Sequence, residues 1–449
     1  MEQALAHGLR NFGDLPMRTV DDYDAPFDPN WSLARLSRAT LARLGREYLL
    51  SGHLQDRVGL PLVAQKYGGN AYRDFSIGEW MSASPLYSKR MQRALGFEGD
   101  DVGTVFKNMQ IEIGAPPQFM DFQFRLDGPD SGEFWLPHCG ALMDVEPFGE
   151  ERVRLMCHDI EDPTFDATAA ATHPRMKMRP IHRPPRQPAD RSPHCRWRVF
   201  RDQGSEGAVE AEPHPNLSRV AASKIAQIPL VLPNESLESG GWADYSGDFD
   251  PGFQLEDLSH RALLIVLQEA AVQSHLLARA FLLMVKEHIG EPAMQEMARR
   301  QWTGIAALTA ERLQSALGIQ GDDIEAIAKI FQLHPCFHPR SYIDLRLEIL
   351  GPNRARLGFA PGPAFEEDDE CSWLAGLGKA PHSALDAIAQ RINPHTRCVP
   401  TEATGELRWA WDIVIDPEAP AAPEPIELSL ARISQGARFV FETRRPVRS

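Results

Sequence analysis

The chain contains one sixteen-residue pattern twice, and this repetition constrains its fold more than any other feature. The segment DYDAPFDPNWSLARLS, residues 22–37, aligns without a gap with DYSGDFDPGFQLEDLS, residues 244–259, and eight of the sixteen positions are identical. The two segments lie 222 residues apart in a chain of 449 residues. Because self-similarity at a fixed offset indicates repeated structural units, the sequence predicts two homologous halves.

The same offset continues far beyond the opening segments. It pairs His53 with His275, and it places ALGFEGDD, residues 94–101, on ALGIQGDD, residues 316–323. Each half has the size of an ordinary domain. We therefore expect a first repeat at 22–200, a linker rich in Pro, Gly and Ser at 201–243, and a second repeat at 244–443.

Within each half the hydrophobic pattern changes its period. Apolar positions at helical spacing fill 37–67 and 70–95, and they recur at 259–288 and 292–317. After the GDD element, alternation takes over in segments such as MDFQFRL, RVRLMC and CRWRVF of the first half and RARLGF of the second. The sequence thus predicts the α+β class, with two tandem repeats that each place a small antiparallel sheet after a helical part.

Composition limits the classes of partner. The formal net charge of −15 disfavours a general nucleic-acid binder, because an acidic surface repels phosphate backbones. Residues 1–16 show no basic start followed by an apolar core, and the most apolar stretch, 262–285, is interrupted by charged residues. We expect a cytoplasmic protein that does not enter a membrane. Its repeats would bury faces against each other as a monomeric pseudo-dimer or would assemble as a homodimer.

The first half has three cysteines that the second half lacks at the matching positions. Cys139, Cys157 and Cys195 map near Gly362, near Leu377 and onto Leu407. Each cysteine stands next to a histidine: His138, His158 and His194 respectively. Three thiols that disappear together suggest a shared role.

A shared role for these cysteines predicts a metal site. Zn²⁺ accepts three cysteines and one histidine in a tetrahedron, and iron is the alternative metal. The candidate ligands are Cys139, Cys157 and Cys195, with a histidine drawn from His138, His158 and His194. The competing interpretation is three independent buried cysteines beside surface histidines.

Other features are present in both halves or lie beside the proposed site. His53 and Arg57 stand four residues apart, as do their counterparts in the second half, so each pair shares a helix face. A histidine beside a cation is a candidate general base. The alternative is a hydrogen-bonded core histidine with an arginine that pairs with a carboxylate such as Asp100 or Asp101.

A basic, proline-rich segment lies between the second and third cysteines. The segment HPRMKMRPIHRPPRQPADRSPHC, residues 173–195, predicts an exposed cationic loop without regular structure. Such a loop could orient a substrate carboxylate, or it could only balance local acidic charge.

A family resemblance rests on these motifs. A helical half with a Trp in its second helix, the ALG…GDD step and scattered cysteines that end in HCRWRV resemble the L-2-amino-thiazoline-4-carboxylic acid hydrolase-like family. A more distant similarity is to vinyl-reductase-type small-molecule domains. The first resemblance implies hydrolytic opening of a C–N bond in a small carboxylated heterocycle, with Cys139, Cys157 and His194-Cys195 as the matching positions. The chain departs from it in being duplicated and in lacking those cysteines in its second copy.

Three functions follow as expectations. The first is a metal-dependent hydrolase that acts on a C–N bond of a small carboxylated substrate, with zinc or iron as cofactor and with His53, Arg57 and His158 as catalytic residues. The second is a non-enzymatic protein that binds a small ligand and has a structural zinc. The third is an iron-dependent oxidative enzyme.

Overall fold

A computed structural model describes residues 19–204, 212–233, 236–378 and 380–442. The segment considered as a leader, residues 1–16, lies outside the described residues, as do parts of the expected linker and the last residue of the expected second repeat. In the part that is described, no helix combines the length and the apolarity needed to cross a membrane.

Each half places helices before a four-stranded sheet. The helices of the first half are α1 (Arg38–Leu54), α2 (Asp56–Tyr67), α3 (Gly69–Ala94), α4 (Val102–Met109), α5 (Gly140–Val145), α6 (Glu150–Arg154) and α7 (Glu161–Thr172). Two short helices, α8 (Asn216–Ala221) and α9 (Lys224–Gln227), follow its sheet. The second half contains α10 (His260–His288), α11 (Glu291–Ala316), α12 (Ile324–Leu333), α13 (Ser383–Ile392) and α14 (Ile426–Ala431).

The two sheets have the same topology. The first contains β1 (Gln123–Gly128), β2 (Ser131–Leu136), β3 (Met176–His182) and β4 (Cys195–Arg201), in the order β1-β2-β4-β3. The second contains β5 (Leu345–Gly351), β6 (Arg354–Phe359), β7 (Thr396–Thr401) and β8 (Trp409–Ile415), in the order β5-β6-β8-β7. All neighbouring strands are antiparallel. The predicted α+β class with two repeats is confirmed.

The repeated motifs mark helix boundaries. Ser37 and Ser259 accept hydrogen bonds from Thr40 N and Ala262 N and so cap α1 and α10. In the ALG…GDD step, Gly96 and Gly318 follow α3 and α11 with φ of 68° and 60°, a conformation that favours glycine. The Asp that ends each GDD then caps the next helix: Asp101 accepts from Thr104 N, and Asp323 from Ala326 N.

The sequence-based expectation of strands was wrong at RVRLMC, residues 152–157. This segment lies in α6 and in the π-helical turn Leu155–Ile160. The buried residues of these helical turns, Val153, Cys157 and Ile160, are spaced four and three apart, which is the spacing of one helix face.

The basic segment was also assigned wrongly, because β3 occupies Met176–His182 within it. Pro180 is tolerated there because β3 is an edge strand, where the missing N–H of proline costs no ladder bond to a second neighbour.

The expected linker packs more tightly than its composition suggested. Its helices α8 and α9 bury Val220 and Ile225. The Glu367 carboxylate accepts hydrogen bonds from the backbone N–H groups of Lys224 and Ile225, at 3.0 Å each. This segment therefore belongs to the packed structure and holds part of the second repeat.

Each repeat extends an arm onto the other. The Tyr23 hydroxyl donates to Gln332 Oε1 at 2.9 Å, and the Tyr245 hydroxyl donates to Gln110 Oε1 at 2.8 Å. Lys329 lies 4.9 Å from the Tyr23 ring centroid, and its counterpart Lys107 lies 4.8 Å from that of Tyr245. The DY…FDP motif is thus structural, and its contacts are reciprocal between the repeats.

Two buried ion pairs join the helical parts in the same reciprocal way. Arg90 forms a bidentate ion pair with Glu269, with N–O distances of 2.9 and 2.8 Å. Arg312 forms its counterpart with Glu47, at 2.7 and 3.1 Å. Both arginines also donate to backbone carbonyls of the segments that follow the sheets, such as Ile228 O at 2.9 Å from Arg90. The apolar core runs through both repeats without interruption.

Candidate functional site

A cavity of about 90 Å³ lies in the first repeat, between helices α1 to α3 and the segments that cover the sheet. Such a volume holds several water molecules or a small organic group. Its wall is mostly apolar and includes four methionines, Met109, Met120, Met156 and Met178. Its ionisable residues are His53, Asp56, Arg57, Tyr87, Glu112 and Glu161.

Asp56 and Glu79 form a buried carboxyl pair at one side of this cavity. Asp56 begins α2 and accepts a hydrogen bond from Trp80 Nε1 at 2.9 Å. Glu79 lies on α3 and is fully buried, and its oxygens have no other donor among the described residues. Burial and the neighbouring Asp56 raise the pKa of Glu79 well above its usual value, whereas burial raises that of Asp56 to about 6. A protonated Glu79 can donate a hydrogen bond to the ionised Asp56, so that the two carboxyls share one proton.

Glu112 supplies a second carboxyl from another element. It follows α4, and its Oε2 accepts from Asn108 Nδ2 at 2.5 Å. Burial raises the pKa of Glu112 to about 8, although hydrogen bonds from Ser88 and Asn108 oppose this effect. The side chain is therefore a neutral acid at pH 7, whereas Asp56 is mostly ionised.

The approach to Glu112 stays open because residue 114 is glycine. A Cβ built on Gly114 would lie 3.4 Å from each of three atoms: Glu112 Oε1, Trp80 Cζ3 and the Tyr87 hydroxyl oxygen. These groups from α3 and the segment after α4 therefore converge on one point of the cavity wall. A side chain at position 114 would extend into the space in front of Glu112.

Glu161 is the third cavity carboxyl with a raised pKa. It begins α7 directly after the π-helical turn, an irregularity that is frequent at functional sites. Burial raises the pKa of Glu161 to about 8, and the positive charge of Arg183 partly opposes this shift.

His53 and Arg57 lie together as their spacing predicted, but their partners give them structural roles. Arg57 Nη2 lies 3.2 Å from His53 Nε2, and His53 Nδ1 lies 3.0 Å from Ile113 O. Burial, reinforced by Arg57, lowers the pKa of His53 to about 3. His53 is therefore neutral and a weak base at physiological pH, which disfavours it as the proton-moving group.

The partner of Arg57 is Asp144, at 2.9 Å, rather than Asp100 or Asp101. Asp144 also accepts from the Ser434 hydroxyl at 2.7 Å and from Gln435 N at 2.8 Å, so this pair anchors the tail of the second repeat. Arg279 and Glu367 form the corresponding pair in the second repeat, at 3.2 Å.

The three cysteines of the first repeat lie in one buried neighbourhood beside the cavity. Cys139 caps α5 and lies 3.8 Å from the sulfur of Met120, Cys157 lies in the π-helical turn, and Cys195 begins β4. Burial raises the pKa of Cys139 to about 12 and that of Cys157 well above its usual value. Electrostatic interactions with Cys139 and Cys195 raise the pKa of Cys157 further. All three are free thiols.

The neighbouring histidines do not complete a ligand set with these thiols. His194 Nδ1 accepts from Cys139 N at 3.2 Å, and its ring centroid lies 6.0 Å from that of His138. His158 Nε2 lies 2.7 Å from Pro184 O. Within the described ranges, no group of three or more His, Cys, Asp or Glu side chains is placed to hold a metal ion. The residues present therefore do not fit the predicted zinc or iron, and we derive no step through a metal.

Three arginines of the predicted basic loop, Arg179, Arg183 and Arg186, form ion pairs. Arg183 pairs with Asp162, and Arg186 pairs with Glu146 through two hydrogen bonds of 2.9 and 2.6 Å. These contacts match the interpretation in which the segment balances local acidic charge.

Three carboxyls at or beside the cavity have no acidic counterpart in the second repeat. At the offset of 222, Asp56, Glu79 and Glu112 are replaced by Ala278, Gln301 and His334. Trp373 occupies the corresponding region, where its Nε1 donates to Gln301 Oε1 at 2.9 Å. Sequence comparison of the repeats at their cysteines alone missed these acids. Comparison of the two repeats at positions 56, 79 and 112 identifies them, because the acids are absent from the second repeat.

The comparisons with known proteins do not place the chain in a family. No protein-family model, no curated protein sequence and no solved structure matches it.

Proposed function

We propose that the first repeat is an enzyme that hydrolyses a C–N bond of a small organic substrate by carboxyl acid–base catalysis. The observation that carries this proposal is the pair of carboxyls, Asp56 and Glu112, which line one cavity and have pKa values of about 6 and about 8. When two carboxyls have different pKa values, the group with the lower pKa can act as the base and the group with the higher pKa as the acid. The loss of both groups in the second repeat supports a role for them as a unit.

In the proposed reaction, Asp56 is the general base and Glu112 the general acid. The Asp56 carboxylate takes a proton from a water molecule, whose oxygen bonds to the substrate carbon. Glu112 gives its proton to the nitrogen as the C–N bond breaks, so the nitrogen is released from the bond as a neutral amine. Asp56 then loses its proton to solvent and Glu112 regains one, which restores both carboxyls. Glu79 acts through Asp56: its hydrogen bond holds the base in place and helps to keep its pKa near 6.

The wall of the cavity favours a compact substrate with an apolar body. Methionine side chains adapt to irregular shapes, and the aromatic rings of Trp80 and Phe122 offer flat contacts. A small heterocycle, the substrate class implied by the family resemblance, meets these requirements. The proposal assigns no arginine to a substrate carboxylate, because Arg57, Arg183 and Arg186 already have carboxylate partners.

The test is a screen of small cyclic amidines and lactams for release of ring-opened product. For any compound that turns over, Asp56→Asn and Glu112→Gln are each expected to lower kcat by about 100-fold or more, the range of general acid–base catalysis. His334→Gln, at the counterpart of Glu112 in the second repeat, is the matched control and should retain activity. Undiminished activity in the double variant of Asp56 and Glu112 would refute the proposal.

Elemental analysis separates this proposal from the metal-dependent hydrolase. Stoichiometric zinc or iron in the purified protein, lost together with turnover in Cys139→Ser, Cys157→Ser and Cys195→Ser, would favour the metal mechanism. Turnover that survives chelation and all three substitutions would favour the carboxyl mechanism.

A ligand-binding protein without turnover is the second candidate, and the mostly apolar wall of the cavity favours it. In that case a compound from the same screen would raise the melting temperature of the protein, and it would do so without being consumed.

A further inference from the structure

A second cavity, of about 110 Å³, lies between the two repeats and adjoins the first. On one side it is lined by residues of the first repeat that include Gln110, Gln118 and Gln123. On the other side it is lined by residues 251–255 of the second repeat, the part of the arm that begins at the proline of the DY…FDP motif. Pro251 of this arm is exposed, so the cavity reaches the protein surface there.

Four side chains separate the two cavities. Met109, Ala115, Met120 and Phe122 line both of them, so one side of this partition faces the acidic cavity and the other faces the cleft between the repeats. Two members of the partition are methionines, whose unbranched chains change rotamer easily, and one is an alanine. Two of the four shared side chains are therefore adaptable, and a third is small.

The second repeat is closed by aromatic rings at the matching place. At the offset of 222, Phe331 and Phe337 stand where the first repeat has Met109 and Ala115. Their ring centroids are 5.8 Å apart in a stacked arrangement, and Phe337 also contacts Trp302 with a centroid distance of 6.2 Å. The second repeat thus has two packed aromatic rings, Phe331 and Phe337, where the first repeat has a flexible methionine and a small alanine.

We propose that small molecules enter the acidic cavity through the cleft between the repeats and pass the partition of Met109, Ala115, Met120 and Phe122. In this proposal the second repeat contributes to the site because its residues 251–255 line the entrance of the passage. Its biological meaning rests on the proposed function, since the passage would set an upper limit on the width of the substrate. The partition admits narrow molecules and excludes those whose width its side chains cannot clear by changing rotamer.

The experiment measures access without any need for turnover. Ser76 lines the acidic cavity and is buried, with its hydroxyl donating to Tyr72 O at 2.8 Å, so Ser76→Cys places a nearly isosteric thiol inside. The reaction of this introduced thiol with the small reagent methyl methanethiosulfonate is followed by peptide mass spectrometry in the full chain. Cys398, buried in β7 of the second sheet, reports on general opening of the fold in the same sample.

Two blocking substitutions are combined with Ser76→Cys. Ala115→Phe introduces into the partition the aromatic side chain that the second repeat has at Phe337, and Gln254→Trp places a larger side chain at a half-buried position of the mouth. Ser32→Trp is the matched control: Ser32 is the counterpart of Gln254 at the offset of 222, and both side chains cap the short helical turn that follows them.

The passage predicts that Ala115→Phe and Gln254→Trp each slow labelling of the introduced thiol by about tenfold or more, while Ser32→Trp leaves the rate unchanged. An unchanged rate in either blocked variant would overturn the proposal. A slowing shared by Ser32→Trp or by Cys398 would also overturn it, because it would report a change in global opening. Absence of hydrolysis in the screen would refute the proposed function and would leave these labelling rates as they are.

Discussion

Glu112→Gln should stabilise the folded protein, by an amount that grows with pH. The side chain is fully buried, and burial raises its pKa from 4.5 to about 8. Glutamine keeps the shape of the side chain, and its carbonyl can accept the hydrogen bonds that Asn108 and Ser88 direct at Glu112. The substitution therefore removes a group that resists ionisation while keeping the contacts around it.

The direction of the effect follows from proton linkage. Between pH 4.5 and 8 the folded protein keeps the Glu112 proton, whereas the unfolded chain releases it. The stability that this group contributes is therefore fully present below pH 4.5 and is lost as the pH rises through 8. At about 1.36 kcal/mol per pH unit, the wild-type protein loses roughly 3 kcal/mol between pH 4.5 and 7 through this group, and roughly 4 kcal/mol by pH 8.

The measurement is urea unfolding of wild type and variant at pH 5, 7 and 8. The other titrating groups contribute equally to both proteins, so the difference in free energy of unfolding isolates Glu112. It should be below about 1 kcal/mol at pH 5 and should reach about 3 kcal/mol at pH 7. Glu98→Gln, at an exposed position, is the control and should show no such growth. A difference that stays constant with pH, or a variant less stable at every pH, would mean that Glu112 is ionised and paired in the folded state.

Two further predictions concern the other buried groups. Glu269→Gln and Glu47→Gln should each lower the free energy of unfolding by about 3–5 kcal/mol, because each leaves a buried arginine without its carboxylate; urea unfolding tests both, and clearly unequal losses would contradict the reciprocal arrangement of the repeats. All six cysteines are buried free thiols, so Ellman's reagent should react with them slowly in the native protein and completely in urea; fast native reaction of Cys139, Cys157 or Cys195 would refute the assignment of neutral thiols.

The fold class could be predicted from the sequence because two local signals were strong. Helical periodicity in long segments and the capping residues around Gly96 and Asp101 act within a few residues of one another, so they can be read without the tertiary structure. The segments 152–157 and 176–182 could not be assigned in this way. The first is too short to distinguish alternation from helical spacing, and the second contains a proline that only an edge strand accepts.

The candidate site could be predicted only in part. Sequence comparison of the repeats singled out the three cysteines, which are buried but, among the described residues, do not form part of a metal-ligand group. The cavity acids were missed because Asp56 and Glu79 lie on two different helices, where an acidic residue ordinarily faces solvent, and Glu112 lies in the irregular segment after α4. Burial, which raises their pKa values, is a property of the assembled core and not of any local pattern. Their replacement by Ala278, Gln301 and His334 is the sequence difference between the repeats that points to their proposed role.

The reciprocal arms have a consequence for how such a protein can diverge. In a symmetric homodimer the two arms have the same sequence. A substitution that improves the arm lining one site therefore also changes the identical arm lining the other site. Here the two arms are encoded separately, so residues 251–255 can change to suit the first repeat while residues 29–33 do not. Under the proposed function and passage, joining the two copies in one chain would let one copy specialise in chemistry and the other in controlling access to it.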